Sequence, residues 1–496
     1  MFEAAELGVK LDKDEYLKRE PELRWELLQR QFELRAAGFP VVVLLSGDDR
    51  PSCSEVLNLL HEWMDPRYVE ANAFGVPTDE ENERPFFWRY WRRLPERGRI
   101  GIFVRAWTMQ PIVMRMIGSL DEGEFEHWLA HVRGFERTLA ADGALLLKFW
   151  FHLPPEEFRR RVKRAKKNSE KLWRSGKHDT RVYENYDLAR ELMEKSIRLT
   201  STGEAPWHVV ESTDERHRNM SVAEEILKTL TRRLEEEREK KDRPVGPGEA
   251  NSAEDVVTVL DKVDLTVSLP KPDYSEALDR LQSKLFRETS KARERGVSTV
   301  LVFEGWDASG KGGIIRRLTR AMDASLYRVV PIAAPTEEEL AHHYQWRFWR
   351  HLPRAGHVTI FDRSWYGRVL VERVEGLASE NEWRRGFSEI NVFEEQLVEH
   401  GIVLLKFWLH VDADEQLRRF QLRERTPFKK FKITAEDYRN RERRNDYEVA
   451  ANEMIARTST EYARWNLIAA NNKRWARIEV LETVCNALSR ANKKAK

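Results

Sequence analysis

The sequence predicts two tandem α/β domains, each a parallel sheet between layers of helices, and three observations carry that prediction. The chain's 496 residues exceed the roughly 250 to 300 that a single core supports. A whole set of motifs recurs at one fixed displacement along the chain. Within each copy, short and wholly apolar runs alternate with helical ones, the pattern of strands buried on both faces of a parallel sheet.

The repeat is read directly. Trp88-Arg-Tyr-Trp-Arg-Arg-Leu-Pro95 returns as Trp346-Arg-Phe-Trp-Arg-His-Leu-Pro353, a displacement of 258 positions. The same displacement pairs Phe103-x-Arg105-x-Trp107 with Phe361-x-Arg363-x-Trp365, Leu146-Leu-Lys-Phe-Trp150 with Leu404-Leu-Lys-Phe-Trp408, Lys13 and Tyr16 with Lys271 and Tyr274, and Trp207 with Trp465. A period this long excludes a solenoid and means a duplicated domain. The copies are placed at 1–240 and 263–496. Between them, 241–262 reads as a linker, because Arg243-Pro-Val-Gly-Pro-Gly248 removes helix and strand options.

Elements follow in order, taken from the second copy. Leu278, Leu281 and Leu285 on one face predict a long helix over 274–295. Thr299-Val-Leu-Val-Phe303 predicts a short buried strand. A glycine-rich turn follows, then a helix over 313–322. His357-Val-Thr-Ile-Phe-Asp362 and Ile402-Val-Leu-Leu-Lys-Phe-Trp408 predict two more strands, and the remainder is helical and increasingly basic.

Composition narrows the function. Seventeen Trp, 22 Phe and 12 Tyr supply large buried surfaces that a disordered chain lacks. With 85 basic and 83 acidic residues the net charge is only +2, so a polyanion must be met by a local patch. Two cysteines, Cys53 and Cys485, are too few for a disulfide framework or a thiolate metal site and suit a reducing cytoplasm. The acidic start is no secretory signal. The longest apolar stretch, Ala144 to Leu153, is short and broken by Lys148, which argues against a membrane span.

The chemistry is expected in the second copy. Gly305-Trp-Asp307-Ala-Ser-Gly310-Lys311-Gly312-Gly313 has the spacing of a phosphate-binding loop and lies between a strand and a helix. Its glycines let backbone N–H groups turn toward phosphate oxygens, the helix start adds positive charge, and Lys311 reaches the transferring phosphates. Two features are unusual. Gly312 replaces the hydroxyl residue that commonly binds magnesium, and Asp307 places a carboxylate beside phosphate, where it must hold metal or orient an acceptor. Asp362, at the carboxyl end of an apolar strand, faces the loop and is the candidate Mg²⁺ carboxylate. Arg363 and Arg368 are candidates for holding phosphate oxygens. From Arg418 to Arg444, 11 basic residues face four acidic ones, including Lys429, Lys430 and Lys432. In a phosphate-loop protein such helices form a lid, and 11 cations exceed what one nucleotide triphosphate needs.

These motifs, with Pro335-Thr-Glu-Glu-Glu-Leu340, Phe361-Asp-Arg-Ser-Trp-Tyr-Gly-Arg368 and Val371-Glu-Arg-Val-Glu-Gly376, resemble the polyphosphate kinase type 2 family, and the tandem arrangement resembles its fused two-domain class. The resemblance implies two P-loop kinase-like, thymidylate-kinase-like domains with helical basic lids. It implies Mg²⁺-dependent transfer of the terminal phosphoryl group of inorganic polyphosphate to a nucleoside monophosphate, AMP in particular or GMP, giving ADP or GDP. It also implies functional roles for Asp307, Lys311, Asp362, Arg363 and the lid cations near Lys432. Neither nucleic acid nor membrane is expected as a partner, and the fused pair would mimic a dimer of single-domain relatives, leaving a homo-oligomer open.

The first copy has Cys53 in place of Lys311, Ser52 for Gly310, Ser54 for Gly312 and Val104 for Asp362, while Asp49 and Arg105 are retained. It is expected to be catalytically degenerate, either binding polyphosphate or serving as a scaffold. Cys53 reads as a filler, since no base partner is evident. Two other function classes fit parts of the sequence: an ATP-dependent nucleoside monophosphate kinase, and a non-catalytic polyanion or nucleic-acid binder using the basic helices and tryptophans.

Overall fold

The computed structural model describes residues 2–167, 185–242, 258–427, 431, 433 and 435–495. Two compact units form: the first gathers Met1–Pro77, Arg89–Gly248 and Glu337–His343, the second Thr78–Trp88, Glu249–Thr336 and Tyr344–Lys496. Most of the segment expected to be a linker, 243–257, lies outside the described residues.

The first unit holds β1 (Val41–Gly47), β2 (Val69–Ala73), β3 (Ile100–Val104), β4 (Leu145–His152) and β5 (Trp207–Glu211). They form one sheet in the order β2-β3-β1-β4-β5, with every pairing parallel. The second unit holds β6 (Thr299–Gly305), β7 (Tyr327–Pro331), β8 (Val358–Asp362), β9 (Val403–His410) and β10 (Trp465–Ala469), in the equivalent order β7-β8-β6-β9-β10. Registers also match: Leu45 pairs with Val104 in β1 and β3, and Phe303 with Asp362 in β6 and β8. The doubly wound parallel architecture read from the apolar runs is therefore the architecture present.

The edge strands β7 and β10 escaped sequence reading. Central β6 is buried from Thr299 to Glu304, so it reads as an apolar block, whereas β7 buries only Val330. Helix ends lie one to three residues from those expected: the long helix spans Lys271–Glu294 and the one after the glycine-rich turn Lys311–Thr319.

One lysine in each central apolar run has a structural reason. Lys406 is fully buried, and its Nζ donates to Glu394 Oε2 (2.7 Å), Tyr366 Oη (2.9 Å) and the Thr458 carbonyl (2.7 Å). All three ammonium donors are thus used, which is what makes a charge tolerable in a core. Lys148 repeats the arrangement on Glu136 and the Thr200 carbonyl in the first unit. This pair belongs to the fold in both units.

Candidate active site

The site of the second unit begins where β6 ends. Gly305 has φ +132°, and a Cβ there would come within 2.5 Å of the Leu409 carbonyl oxygen on β9, so only glycine lets the strands pass this closely. Gly47 meets Phe151 in the same way in the first unit. The glycine thus serves the sheet in both units rather than phosphate directly.

Beyond it, Ala308 (φ +60°) and Gly310 (φ +117°) curl the chain into the loop, and the helix starts at Lys311. A left-handed alanine costs roughly 1 to 3 kcal/mol and persists where surrounding contacts enforce it. Those contacts come from the helix Ala413–Glu424. The buried Arg419 donates to the carbonyls of Ala308 (3.0 Å), Ser309 (2.8 Å) and Ala470 (2.5 Å), and Gln416 donates to that of Asp307 (3.2 Å). The loop carbonyls are thus engaged by Arg419 and Gln416, while at the helix start the Gly313 N–H turns back to the Gly310 carbonyl at 2.9 Å.

Charged groups then converge. Lys311 Nζ folds back onto the Gly305 carbonyl at 2.7 Å, and burial, with the nearby Arg363, lowers its pKa. Arg363 follows Asp362 with φ +64°, and its Nη2 donates to Asp307 Oδ1 at 3.0 Å. Asn440, from the basic region, donates to the other Asp307 oxygen at 3.1 Å. Glu304, only 6% exposed, lies beneath the loop and accepts from the Ser364 hydroxyl at 2.7 Å. Burial raises its pKa, against the pull of Ser364 and Lys311.

A cleft of about 870 Å³ joins these groups. Asp307, Gly310, Lys311, Gly312, Gly313, Asp362 and Arg363 line it together. Arg316, Arg423, Lys473 and Arg477 line it as well. Arg368 is not among those lining residues: it pairs with Glu372 and Glu382 and lies over the Tyr344 ring. Lys429, Lys430 and Lys432 lie outside the described residues. Sequence reading missed Glu304, Asn440, Arg316, Lys473 and Arg477. Lys473 and Arg477 are four apart near the start of one helix, a legible signal of a cationic face.

The family model for polyphosphate kinase 2 matches residues 10–239 and 268–496. The chain belongs to the polyphosphate kinase 2 family. It is 47% identical over 497 residues to the polyphosphate:AMP phosphotransferase of Pseudomonas aeruginosa, covering all of both chains, and 44% identical to that of Pseudomonas syringae pv. tomato over 99% of each. A crystal structure of polyphosphate kinase 2 from Pseudomonas aeruginosa PA01 superimposes with a TM-score of 0.89, at 45% identity and with complete coverage of both chains.

Within this polyphosphate kinase 2 chain, the first unit treats the same positions differently. Its helix starts at Arg50, so Arg50, Pro51 and Ser52 are helical where Ala308, Ser309 and Gly310 form the loop. Asp49 turns inward, accepting from the Ser52 hydroxyl and, at 2.7 Å, from Arg161 Nη1. Arg218, 1% exposed, stands where the second unit has Ala476 and donates to Ser52 Oγ. Side chains and a helical turn replace the loop. Cys53 is fully buried, and burial pushes its thiol well up, which fits a filler and not a nucleophile.

Proposed function

We propose that this protein transfers the terminal phosphoryl group of inorganic polyphosphate to AMP, releasing ADP and a polyphosphate shorter by one unit. The observation that carries this reading is the cleft in which a phosphate loop and the Asp362–Arg363 pair adjoin further cations. A nucleoside monophosphate and the end of a donor chain meet at the loop, and the remaining anions of a long donor extend along Arg316, Arg423, Lys473 and Arg477. The full-length relatives named polyphosphate:AMP phosphotransferase support AMP as acceptor.

The reaction asks for positioning and charge neutralisation. An acceptor phosphate monoester is largely a dianion at neutral pH, with its second pKa about 6, so its oxygen attacks the terminal phosphorus without a general base. One P–O bond forms and the bond to the penultimate phosphate breaks. Lys311 and Arg363 offset charge on the transferring oxygens, and the loop N–H groups hold them. Asp307 orients Arg363. Asp307 and Asp362 are oxygen donors lining one cleft, the donor set suited to a hard divalent cation; when bound, Mg²⁺ would neutralise phosphate oxygens. The first unit, lacking the loop, acts as a non-catalytic partner. Two free and buried cysteines suit a reducing cytoplasm, and among the described residues no helix is long and apolar enough to cross a membrane.

The test is ADP formation from AMP, Mg²⁺ and long-chain polyphosphate without ATP. Turnover is expected with the wild type, and Asp362→Asn should reduce kcat by about 10²-fold or more. Turnover with ATP alone as donor would overturn the reading in favour of an ordinary nucleotide kinase.

A further inference from the structure

The duplication supplies an internal control: two sheets in the same register carry different residues at the positions of the phosphate loop and of Asp362. Residues kept in both units with the same partners serve the fold, as the Lys406–Glu394 and Lys148–Glu136 pairs do, whereas Asp307 and Arg363 are kept as Asp49 and Arg105 but with different partners. Residues lost together with Lys311 and Asp362 are candidates for the chemistry. Glu304 and Ser364 are lost in this way, becoming Ser46 and Ala106.

Their geometry says what they do. The last backbone bond joining the ends of β6 and β8 runs from the Arg363 N–H to the Phe303 carbonyl, at 3.0 Å. Past it the chains diverge, one into the phosphate loop and the other into the turn after Asp362. The Ser364–Glu304 hydrogen bond is the next link between them, at 2.7 Å, and the same Ser364 oxygen accepts from the Tyr366 N–H. Arg363, in its left-handed conformation, is therefore fixed from both sides, with its guanidinium on Asp307. In the first unit the backbone bond persists, from the Arg105 N–H to the Leu45 carbonyl at 3.0 Å, but the second link is gone and the buried Ser46 Oγ has no hydrogen-bond partner. The sheet evidently does not need it.

We propose that Glu304 and Ser364 are a positioning pair that locks the phosphate loop to the Asp362–Arg363 turn, so that both ends of the transfer stay in register. This inference rests on the phosphotransferase reading above. The pair touches no reacting atom; it acts through Arg363 and the loop backbone, and its worth lies in preventing displacements near 1 Å, which cost about 10²-fold in rate.

The deciding variant is Glu304→Ser with Ser364→Ala, which installs the residues of the first unit and so must be compatible with this sheet. A second variant, Glu304→Gln, keeps an acceptor for the Ser364 hydroxyl but removes the charge. The expected result is a double variant with a melting temperature near wild type, kcat lowered about 10- to 100-fold, and KM for AMP within about twofold. Amide hydrogen exchange should quicken over 305–313 and 363–367 but not in β9. Glu304→Gln should recover most of kcat and of the exchange protection. A double variant with wild-type kcat, or a Glu304→Gln variant as impaired as the double, would overturn the pair. Wild-type protein that makes no ADP from polyphosphate and AMP would sink the functional reading instead. The pair would then stand or fall on exchange in the loop, and unchanged exchange in the double variant would remove it.

Discussion

Arg161 Nη1 lies 2.7 Å from Asp49 Oδ2 in the first unit, whereas the equivalent Arg419 of the second unit grips loop carbonyls and leaves Asp307 to Arg363 and Asn440. One arginine position, conserved between copies, thus closes one site and props open the other. The difference is set by what surrounds it: a helical Ser52 and the buried Arg218 in the first unit, a curled Ala308-Ser309-Gly310 in the second.

It follows that restoring the missing lysine alone will not reawaken the first unit. Lys311→Ala should lower kcat by about 10²- to 10³-fold through loss of one charge-stabilising donor. Adding Cys53→Lys to that variant should recover nothing, because the buried position offers no loop to work with. ADP formation measured on the single and double variants decides this. Recovery to a tenth of wild-type activity would mean that the first unit opens.

Lys473 lines the cleft and should give the proposed polyphosphate binding a pH dependence. Burial, with Arg419 beside it, brings its pKa down to about 8. The ammonium is therefore present below that value and is lost as pH rises through it, so affinity for a polyanion should fall between pH 7 and 9. KM for polyphosphate should rise several-fold over that interval, while Lys473→Arg, which stays charged, should flatten the profile. A wild-type KM that is constant from pH 7 to 9 would place Lys473 outside the donor site.

The buried Lys406–Glu394 pair should behave asymmetrically. Lys406→Met strands Glu394 without its cation and should cost about 3 to 5 kcal/mol. Combining it with Glu394→Gln should recover part of that loss, because the uncompensated charge is gone. Denaturant unfolding of the two variants measures the difference, and equal losses would mean that the pair contributes through packing alone.

The duplication, the parallel sheets and the loop at 305–313 were legible because each rests on local pattern: fixed displacement, wholly apolar strands, and glycines between a strand and a helix. Asp362 was legible because it ends an apolar strand. The edge strands were not, since Tyr327-Arg-Val-Val-Pro331 is half exposed and carries no apolar block. The direction of Arg368 was not legible, because a sequence gives proximity along the chain and not orientation: five residues after Arg363, it turns to Glu372 and the Tyr344 ring. Glu304 was overlooked although it precedes Gly305 directly, for its role appears only when Ser364, 60 residues away, folds against it.

His410 and His152 occupy equivalent positions yet titrate in opposite senses, and pH-dependent stability should separate them. His410 is buried, its Nδ1 accepts from Trp306 Nε1 at 3.1 Å, and burial with the nearby Arg444 takes its pKa to about 4. The unfolded chain binds a proton near 6.5 that the folded unit refuses, so stability falls as pH drops from about 6.5 toward 4. His152 is also buried, which alone would lower its pKa, but Asp48 at 3.0 Å and Glu6 at 2.8 Å reverse the effect and raise it. Its contribution is fully present below about 6.5 and is lost as pH rises through its raised value. Relative to wild type, His410→Asn should therefore gain stability on acidification, by up to roughly 3 kcal/mol, while His152→Asn should lose it. Thermal midpoints of the three proteins between pH 4.5 and 8 test both signs at once. Parallel pH curves for all three would show that neither histidine is linked to folding.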